Sequence, residues 1–381
     1  MNNGSSPSFA MVAGETSGDL IASHLLQAMR LRWPALSAMG IGGPHMSRQG
    51  FVPWWSSDRL AVRGYVEVLR HYRDIINIRK ELKGRLLARA PELFVGIDAP
   101  DFNLDLECDL RAAGVKTMHF ICPSVWAWRA DRVDKIRRAA QHVLCIFPFE
   151  PDLLHQQGIE ATYVGHPLAQ AIPLQPDRSA ARKRLGVAAE APVLAVLPGS
   201  RASEVQYIAR SFIEAATQLQ RLKPGLQVLI PALPHVRPAI ESLIAGSSSP
   251  FIRVVDGQSH AVLEACDLAL VASGTATLEA ALYKRPMVIG YRMNALSWQI
   301  MRRKRLQPWV GLPNILCRDF VVPELLQSEC SPQRLAEEAL AWFNAPDKAH
   351  ALQQRFSALH QELLRDTAQL ATDAIQSVLQ S

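Results

Sequence analysis

The sequence predicts an α/β protein built as two doubly wound domains, and three observations predict it. The chain of 381 residues is too long for one ordinary domain, and with 49% hydrophobic and 20% charged residues it has the make-up of a folded protein able to bury two cores. Short apolar runs that end at glycine, serine or proline are each followed by an amphipathic stretch of helical period, the rhythm of a parallel sheet wrapped by helices. That rhythm is interrupted once, by the proline-rich and polar "LAQAIPLQPDRSAARKRLGVAAEAP", and then starts again.

The first half opens on "SFAMVAGETSGDLIASHLLQAMRLRW", an apolar strand, a turn through Gly14 to Gly18 and an amphipathic helix. "ELFVGIDAPDFN", "KTMHFICPSVWAW", "HVLCIFPFEPDLL" and "ATYVGHPL" supply further strands, each running into a polar or Gly/Pro loop. The interruption reads as a linker. Beyond it "PVLAVLPGSRASEV", "QVLIPAL", "IRVVDGQ", "LALVASGTATLE" and "RPMVIGYRM" repeat the pattern. The expected division is residues 1–170, residues 171–345, and a C-terminal helix over 346–381 that packs back on the first domain of its own or a partner chain. In open parallel sheets ligands bind beyond the carboxyl ends of the strands, so these loops are expected to point into one cleft between the halves.

Charge and cysteine usage limit the function. The formal net charge of +6 implies anionic company, although most of it is spread over solvated helix faces such as "DRVDKIRRAAQ". No nucleic-acid-binding motif accompanies it. The six cysteines form no C-x-x-C pair, no apolar stretch reaches the roughly 18 residues of a spanning helix, and no secretory signal is visible, so a cytoplasmic protein with reduced thiols is expected.

The second half carries two anion loops. "LALVASGTATLE" is a strand, a turn of small residues and a helix start. The free amides of Ser273, Gly274, Thr275, Ala276 and Thr277 suit a phosphate, while the plain structural reading is a helix cap. "VLPGSRASE" repeats the design with Gly199, Ser200 and Arg201, whose guanidinium and backbone donors can share a diphosphate. Glu279, one to two turns into its helix, is placed for ribose hydroxyls. A dinucleotide fold needs G-x-G-x-x-G, which "AGETSGD" does not supply, and no Walker loop occurs.

The ordered set "AGETSGD" (13–19), "GIDAPDFN" (96–103), "PSVWAW" (123–128), "GHPL" (165–168), "LPGSR" (198–201), "SGTATLEAAL" (273–282) and "LPN" (312–314) resembles the lipid-A-disaccharide synthases over nearly the whole chain. The resemblance implies a GT-B glycosyltransferase. It would join UDP-2,3-diacylglucosamine to 2,3-diacylglucosamine 1-phosphate, giving a β(1→6) disaccharide 1-phosphate and UDP, with no cofactor and no metal. Such inversion needs a base and a grip on the leaving diphosphate. Asp98, at the end of the strand "LFVGI", is the first choice for base; Asp19 in the first loop competes, and Glu15 is third. Asp98 and Asp101 also read as turn or cap residues. The acids of "DLECD" (105–109) read as a solvated face rather than a metal site, and His24, His119 and His166 lack metal-ligand spacing.

Lipid substrates need a surface. "LAVRGYVEVLRHYRDIINIRKEL" (60–82) places Val66, Leu69 and Ile75 among basic residues, as a helix lying peripherally on the anionic cytoplasmic face of an inner membrane does; an ordinary core helix has the same pattern. Trp126 and Trp128 line the acyl or sugar site or are simply packed, and Arg129 is a candidate for the acceptor phosphate. A UDP-sugar 2-epimerase, another GT-B enzyme such as the peptidoglycan N-acetylglucosaminyl transferase, a nucleic-acid binder and a silent nucleotide sensor are the alternatives. Oligomeric state, including a homodimer, stays open.

Overall fold

The structure, a computed structural model, describes residues 7–60, 65–127, 132–246 and 251–381, with backbone alone at 65–72 and 296. It separates into two compact units, one running to Pro167 and including Leu363–Ser381, the other Leu168–Glu362.

In chain order the first unit contains β1 (Ser8–Ala13), α1 (Thr16–Arg32), β2 (Ser37–Gly42), α2 (Pro44–Arg48), β3 (Val52–Ser56), α3 (Tyr65–Arg89), β4 (Leu93–Ile97), α4 (Pro100–Ala112), β5 (Lys116–Phe120), α5 (Val133–Ala139), β6 (His142–Cys145), α6 (Glu150–His155) and β7 (Glu160–Tyr163). All strands pair in parallel, in the order β3-β2-β1-β4-β5-β6-β7. Residues 9–13 of β1 and all of β4 are buried, as expected of central strands covered by helices on both faces. The order reverses between β1 and β4, and the loops that leave those two strands hold "GETSGD" and "DAPD". A reversal opens a crevice at the strands' carboxyl ends.

The chain continues through α7 (Pro167–Ala171), α8 (Arg178–Leu185), β8 (Val193–Leu197), α9 (Ala202–Leu222), β9 (Gln227–Ala232), α10 (Arg237–Ala245), β10 (Ile252–Asp256), α11 (Ser259–Ala265), β11 (Leu268–Ala272), α12 (Thr275–Leu282), β12 (Met287–Tyr291), α13 (Ala295–Lys304), α14 (Leu312–Cys317), β13 (Glu324–Leu326), α15 (Pro332–Phe343), α16 (Pro346–Leu363) and α17 (Thr367–Gln380). The second sheet is also parallel, in the order β10-β9-β8-β11-β12-β13. Its reversal falls between β8 and β11, the strands that deliver "PGSR" and "SGTA".

Three readings change. The stretch taken as linker carries α8, whose buried Arg182 donates to the carbonyl of Ala265 at 3.0 Å and pairs with Asp267 at 2.8 Å; it is part of the second unit's body. The C-terminal region is two helices, because Asp366 caps a new one by accepting from the amide of Gln369 at 3.2 Å. Its last helix, α17, lies on the first unit, where Asp373 pairs with Arg32 at 2.6 Å and Lys116 donates to the carbonyls of Val378 and Leu379 at 2.9 Å. Finally, Ile78, Leu82 and Leu86 on α3 are buried in the first unit's core and Ile75 packs partly against it, so this half of the helix is a core helix; Ile76 remains exposed. The side chains of Val66 and Leu69 lie outside the described residues.

Candidate functional site

In the first unit the two loops at the reversal meet on one carboxylate. Asp98 and Ala99 both adopt left-handed backbone, φ 54° and 40°, a conformation that strains residues with a β-carbon and collects at functional sites. The turn is fixed by Asn103, whose side-chain amide donates to the Asp98 carbonyl at 2.9 Å. It aims the carboxylate back at the first loop, where Oδ1 accepts from the amide of Gly14 at 2.7 Å and Oδ2 from that of Glu15 at 3.2 Å. Gly18 explains its own identity, since a β-carbon there would lie 1.9 Å from Asp98 Oδ2. Among the described residues no cation pairs with Asp98. Burial pushes its carboxyl up to about 7, the Gly14 amide pulls it down, and the negative charge of Glu15 pushes it up again.

The competing acids have other work. Asp19 is buried and its carboxylate accepts from the amides of Gly43 at 2.8 Å, His45 at 2.9 Å and Met46 at 3.0 Å, so it caps α2 rather than facing a substrate. Glu15 is an exposed N-cap that supplies its amide to Asp98. Asp101 pairs with Arg132. Within "DLECD", Asp105 pairs with Arg79 at 2.6 Å and Asp109 with Lys83 at 3.0 Å on the outer face, but Glu107 turns inward and is fully buried against His119.

Trp126 is packed. Its indole donates to Glu150 Oε1 at 2.9 Å, and its ring stands edge-on to Phe147 and Phe149. Glu150, which also accepts from the amide of Phe147 at 3.0 Å, is pushed up to about 8 by burial and is lowered first by that indole. Its carboxylate and the thiols of Cys122 and Cys145 lie within 4.8 Å of one another, but both oxygens already serve the fold. Burial lowers His166 to about 4, and its ring leans on Phe147 at 5.4 Å. Trp128 and Arg129 lie outside the described residues.

In the second unit a cavity of about 360 Å³ opens at the carboxyl ends of β8 to β11, a size suited to a small ligand. Gly199, Ser200, Arg201, Ser273, Gly274, Thr275, Ala276 and Glu279 all line it. The two loops differ. Gly274 sits at φ 154° and ψ −162°, a conformation essentially reserved to glycine, and no side chain caps the helix behind it. The Ser273 amide donates to the carbonyl of Gly290 at 3.0 Å and the Thr277 amide to that of Gly274 at 3.1 Å, so the amides of Thr275 and Ala276, residues that line the cavity, are those left for a ligand. At the other loop, Glu204 Oε2 accepts from the amides of Ser200 at 3.0 Å and Arg201 at 3.2 Å, so the backbone anion site expected there holds the chain's own carboxylate. The Arg201 side chain is 75% exposed and pairs with Glu204 Oε1 at 3.1 Å.

Thr277 is buried and returns its hydroxyl to the carbonyl of Gly274 at 2.8 Å, and the Ser273 hydroxyl donates to the carbonyl of Val310 at 3.1 Å; both hydroxyls hold the loop in shape. Burial raises the Glu279 carboxyl, opposed by His260, whose Nε2 lies 3.8 Å from Oε2. Sequence reasoning missed Glu204 and His260. Glu204 was legible as the third residue of a helix first turn, the position from which a glutamate returns to the cap amides; His260 carries no local signal.

Residues 9–375 match the lipid-A-disaccharide synthetase family. The chain belongs to that family. A lipid-A-disaccharide synthase of Albidiferax ferrireducens is 59% identical over 377 residues, covering 97% of each chain, and one of Burkholderia mallei is 49% identical over 374 residues, covering 98% of this chain and 96% of the relative. Among solved structures, a UDP-GlcNAc 2-epimerase of Neisseria meningitidis bound to UDP-GlcNAc superposes with TM-score 0.64 at 11% identity, over 98% of this chain and 100% of its own. An Anabaena protein in complex with UDP and glucose gives 0.59 at 13% identity, over 98% and 100%. These two establish the fold, the two-domain GT-B architecture; the lipid-A-disaccharide synthase family membership makes the chain a glycosyltransferase of lipid A biosynthesis.

Proposed function

We propose that the chain transfers 2,3-diacylglucosamine from its UDP derivative to the 6-hydroxyl of 2,3-diacylglucosamine 1-phosphate, with inversion, giving the β(1→6) disaccharide 1-phosphate and UDP. Asp98 is the base. The observation that carries this reading is its setting: a carboxylate at the reversal of the first sheet, held by two amides in a strained turn, lacking a cation partner among the described residues and pushed up to about 7 by burial. Asp98 takes the proton of the acceptor 6-hydroxyl as that oxygen bonds to the donor's anomeric carbon. The bond from that carbon to the diphosphate oxygen breaks, and its electron pair leaves with UDP.

The cavity of the second unit takes the donor. The open amides at the start of α12 support the diphosphate through their dipole and free N–H groups, and the exposed guanidinium of Arg201 can turn from Glu204 to the developing charge. Glu279, half-buried and close to His260, suits the ribose hydroxyls. Gly199, Ser200, Ser273 and Thr277 act by shaping the two loops.

Among the described residues no helix is long and apolar enough to cross a membrane. The amino-terminal part of α3 with its preceding segment, carrying Val66 and Leu69, is the peripheral contact with the anionic inner-membrane face; Trp128 and Arg129 serve the acceptor.

Incubation with both lipid-linked sugars, followed by mass spectrometry, tests the function. Disaccharide 1-phosphate and UDP in equal amounts are expected. Turnover of UDP-N-acetylglucosamine to its 2-epimer, with no disaccharide from the lipid pair, would overturn the reading in favour of an epimerase.

A further inference from the structure

Directly behind the Asp98 turn lies a polar group that the reading above does not use. His119 on β5 stands in register with Gly96 on β4, and Glu107 reaches over from α4, so that His119 Nδ1 and Glu107 Oε1 are 2.7 Å apart with both side chains at 0% exposure. Gly96 is glycine because the pair passes over it: a β-carbon there would lie 2.1 Å from Glu107 Oε1 and 2.9 Å from Asn103 Cβ. Asn103, also fully buried, is the residue that holds the Asp98 carbonyl, and its amide nitrogen lies within 3.3 Å of the Val12 and Ile97 carbonyls as well. Three atoms of this group, Glu107 Oε2, His119 Nε2 and Asn103 Oδ1, have no hydrogen-bond partner among the described residues.

Burying an acid and an imidazole with unused polar atoms is expensive, and apolar residues of the same volume serve a merely structural core better. The concentration of such atoms under one turn therefore calls for a role connected with that turn. We propose that Glu107 and His119 are a positioning pair for Asp98, a buried carboxylate–imidazole couple that, together with Asn103, holds the left-handed turn and presents an ionisable group to the back of the base.

The charges around Asp98 fix the sign of the effect. Glu15 faces it from the first loop and raises its carboxyl, and His119 faces it from β5 and lowers it. Glu107 is raised by burial and lowered by His119 and, more weakly, by Lys135 of α5. Asp19 is held by the α2 amides and Asp101 by Arg132. Replacing His119 thus removes the side chain that favours the ionised form of Asp98 while Glu15 remains, so Asp98 binds its proton more tightly.

This inference rests on Asp98 being the base. The test is the pH profile of transfer by His119→Gln. The acid limb is expected to move to higher pH by less than about one unit, since His119 is the weakest of the influences on Asp98, with KM for the UDP-sugar unchanged. A limb that stays in place while the rate falls uniformly at every pH would make His119 merely structural and overturn the proposal. Should that variant fail to fold, the wild-type chain labelled with 15N-histidine gives a second readout. One slowly exchanging imidazole line is expected to inflect at the pH where Asp98 ionises and to lose that inflection in Asp98→Asn; no line responding to Asp98→Asn would overturn the pair. A chain that transfers no sugar would refute the base assignment, while the imidazole spectrum would still judge the pair.

Discussion

Replacing Gly18 by alanine separates the Asp98 base from the fold that holds it. The added β-carbon would lie 1.9 Å from Asp98 Oδ2 and 2.6 Å from Cγ, whereas real β-carbons keep at least 3.0 Å, so the carboxylate has to retreat by about 1 Å. That retreat breaks or lengthens the bonds from the Gly14 and Glu15 amides, 2.7 and 3.2 Å in the native turn. Misplacement of a catalytic group by about 1 Å can lower a rate roughly 10²-fold, and a loss of that order is expected. Stability should behave differently. Gly18 lies in α1, where alanine is favoured by up to about 1 kcal/mol over glycine, which offsets part of the lost hydrogen bonding. The assay pairs initial transfer rates on the two lipid sugars with thermal unfolding of the same preparation. Wild-type turnover in a folded Gly18→Ala chain would refute the base assignment, because the carboxylate cannot stay where it is.

Wild-type transfer should fall below a pH of about 7, as Asp98 takes up the proton it must be free of, and Asp98→Asn should lose about 10² to 10⁴ in rate with UDP affinity intact; calorimetric titration and rates across pH check both. Because folding raises the Asp98 carboxyl, the folded chain binds the extra proton between about pH 4 and 7, so this group's contribution falls as pH rises through that window, and Asp98→Asn should lose that fall in pH-dependent denaturant melts. Gly274→Ala meets no neighbour within 4 Å, so its cost is backbone strain alone, of order 1–3 kcal/mol; weaker UDP binding with an unchanged limb near pH 7 is expected by titration. Trp126→Phe leaves the buried Glu150 Oε1 without its indole donor and should lower unfolding free energy by about 1–3 kcal/mol, read by chemical denaturation.

The sheets were legible because their signal is local: runs such as "LFVGI" and "LALVA" are apolar throughout and stop at turn residues, as strands buried on both faces do. The loops at both reversals could be picked for the same reason. What failed to show was every contact made at long range in sequence. Asp19 looked like a rival base since its partners, the amides of Gly43 to Met46, lie on another element, and Trp126 looked available since Glu150 is 24 residues away. Residues 60–82 could be read as a surface helix or a core helix because the stripe Ile78, Leu82, Leu86, which belongs to the core, continues past the segment's end. Glu107 read as solvated because alternate acids around it are; only the β4–β5 register brings His119 beneath it.

The central claim, inverting transfer with a single carboxylate as base, is tested most directly by the configuration of the new glycosidic bond. Product made from an α-linked UDP-2,3-diacylglucosamine and 2,3-diacylglucosamine 1-phosphate should show, by proton coupling at the new anomeric centre, a β linkage from the wild-type chain and almost no product from Asp98→Asn. An α linkage, or undiminished β product from Asp98→Asn, would contradict the account.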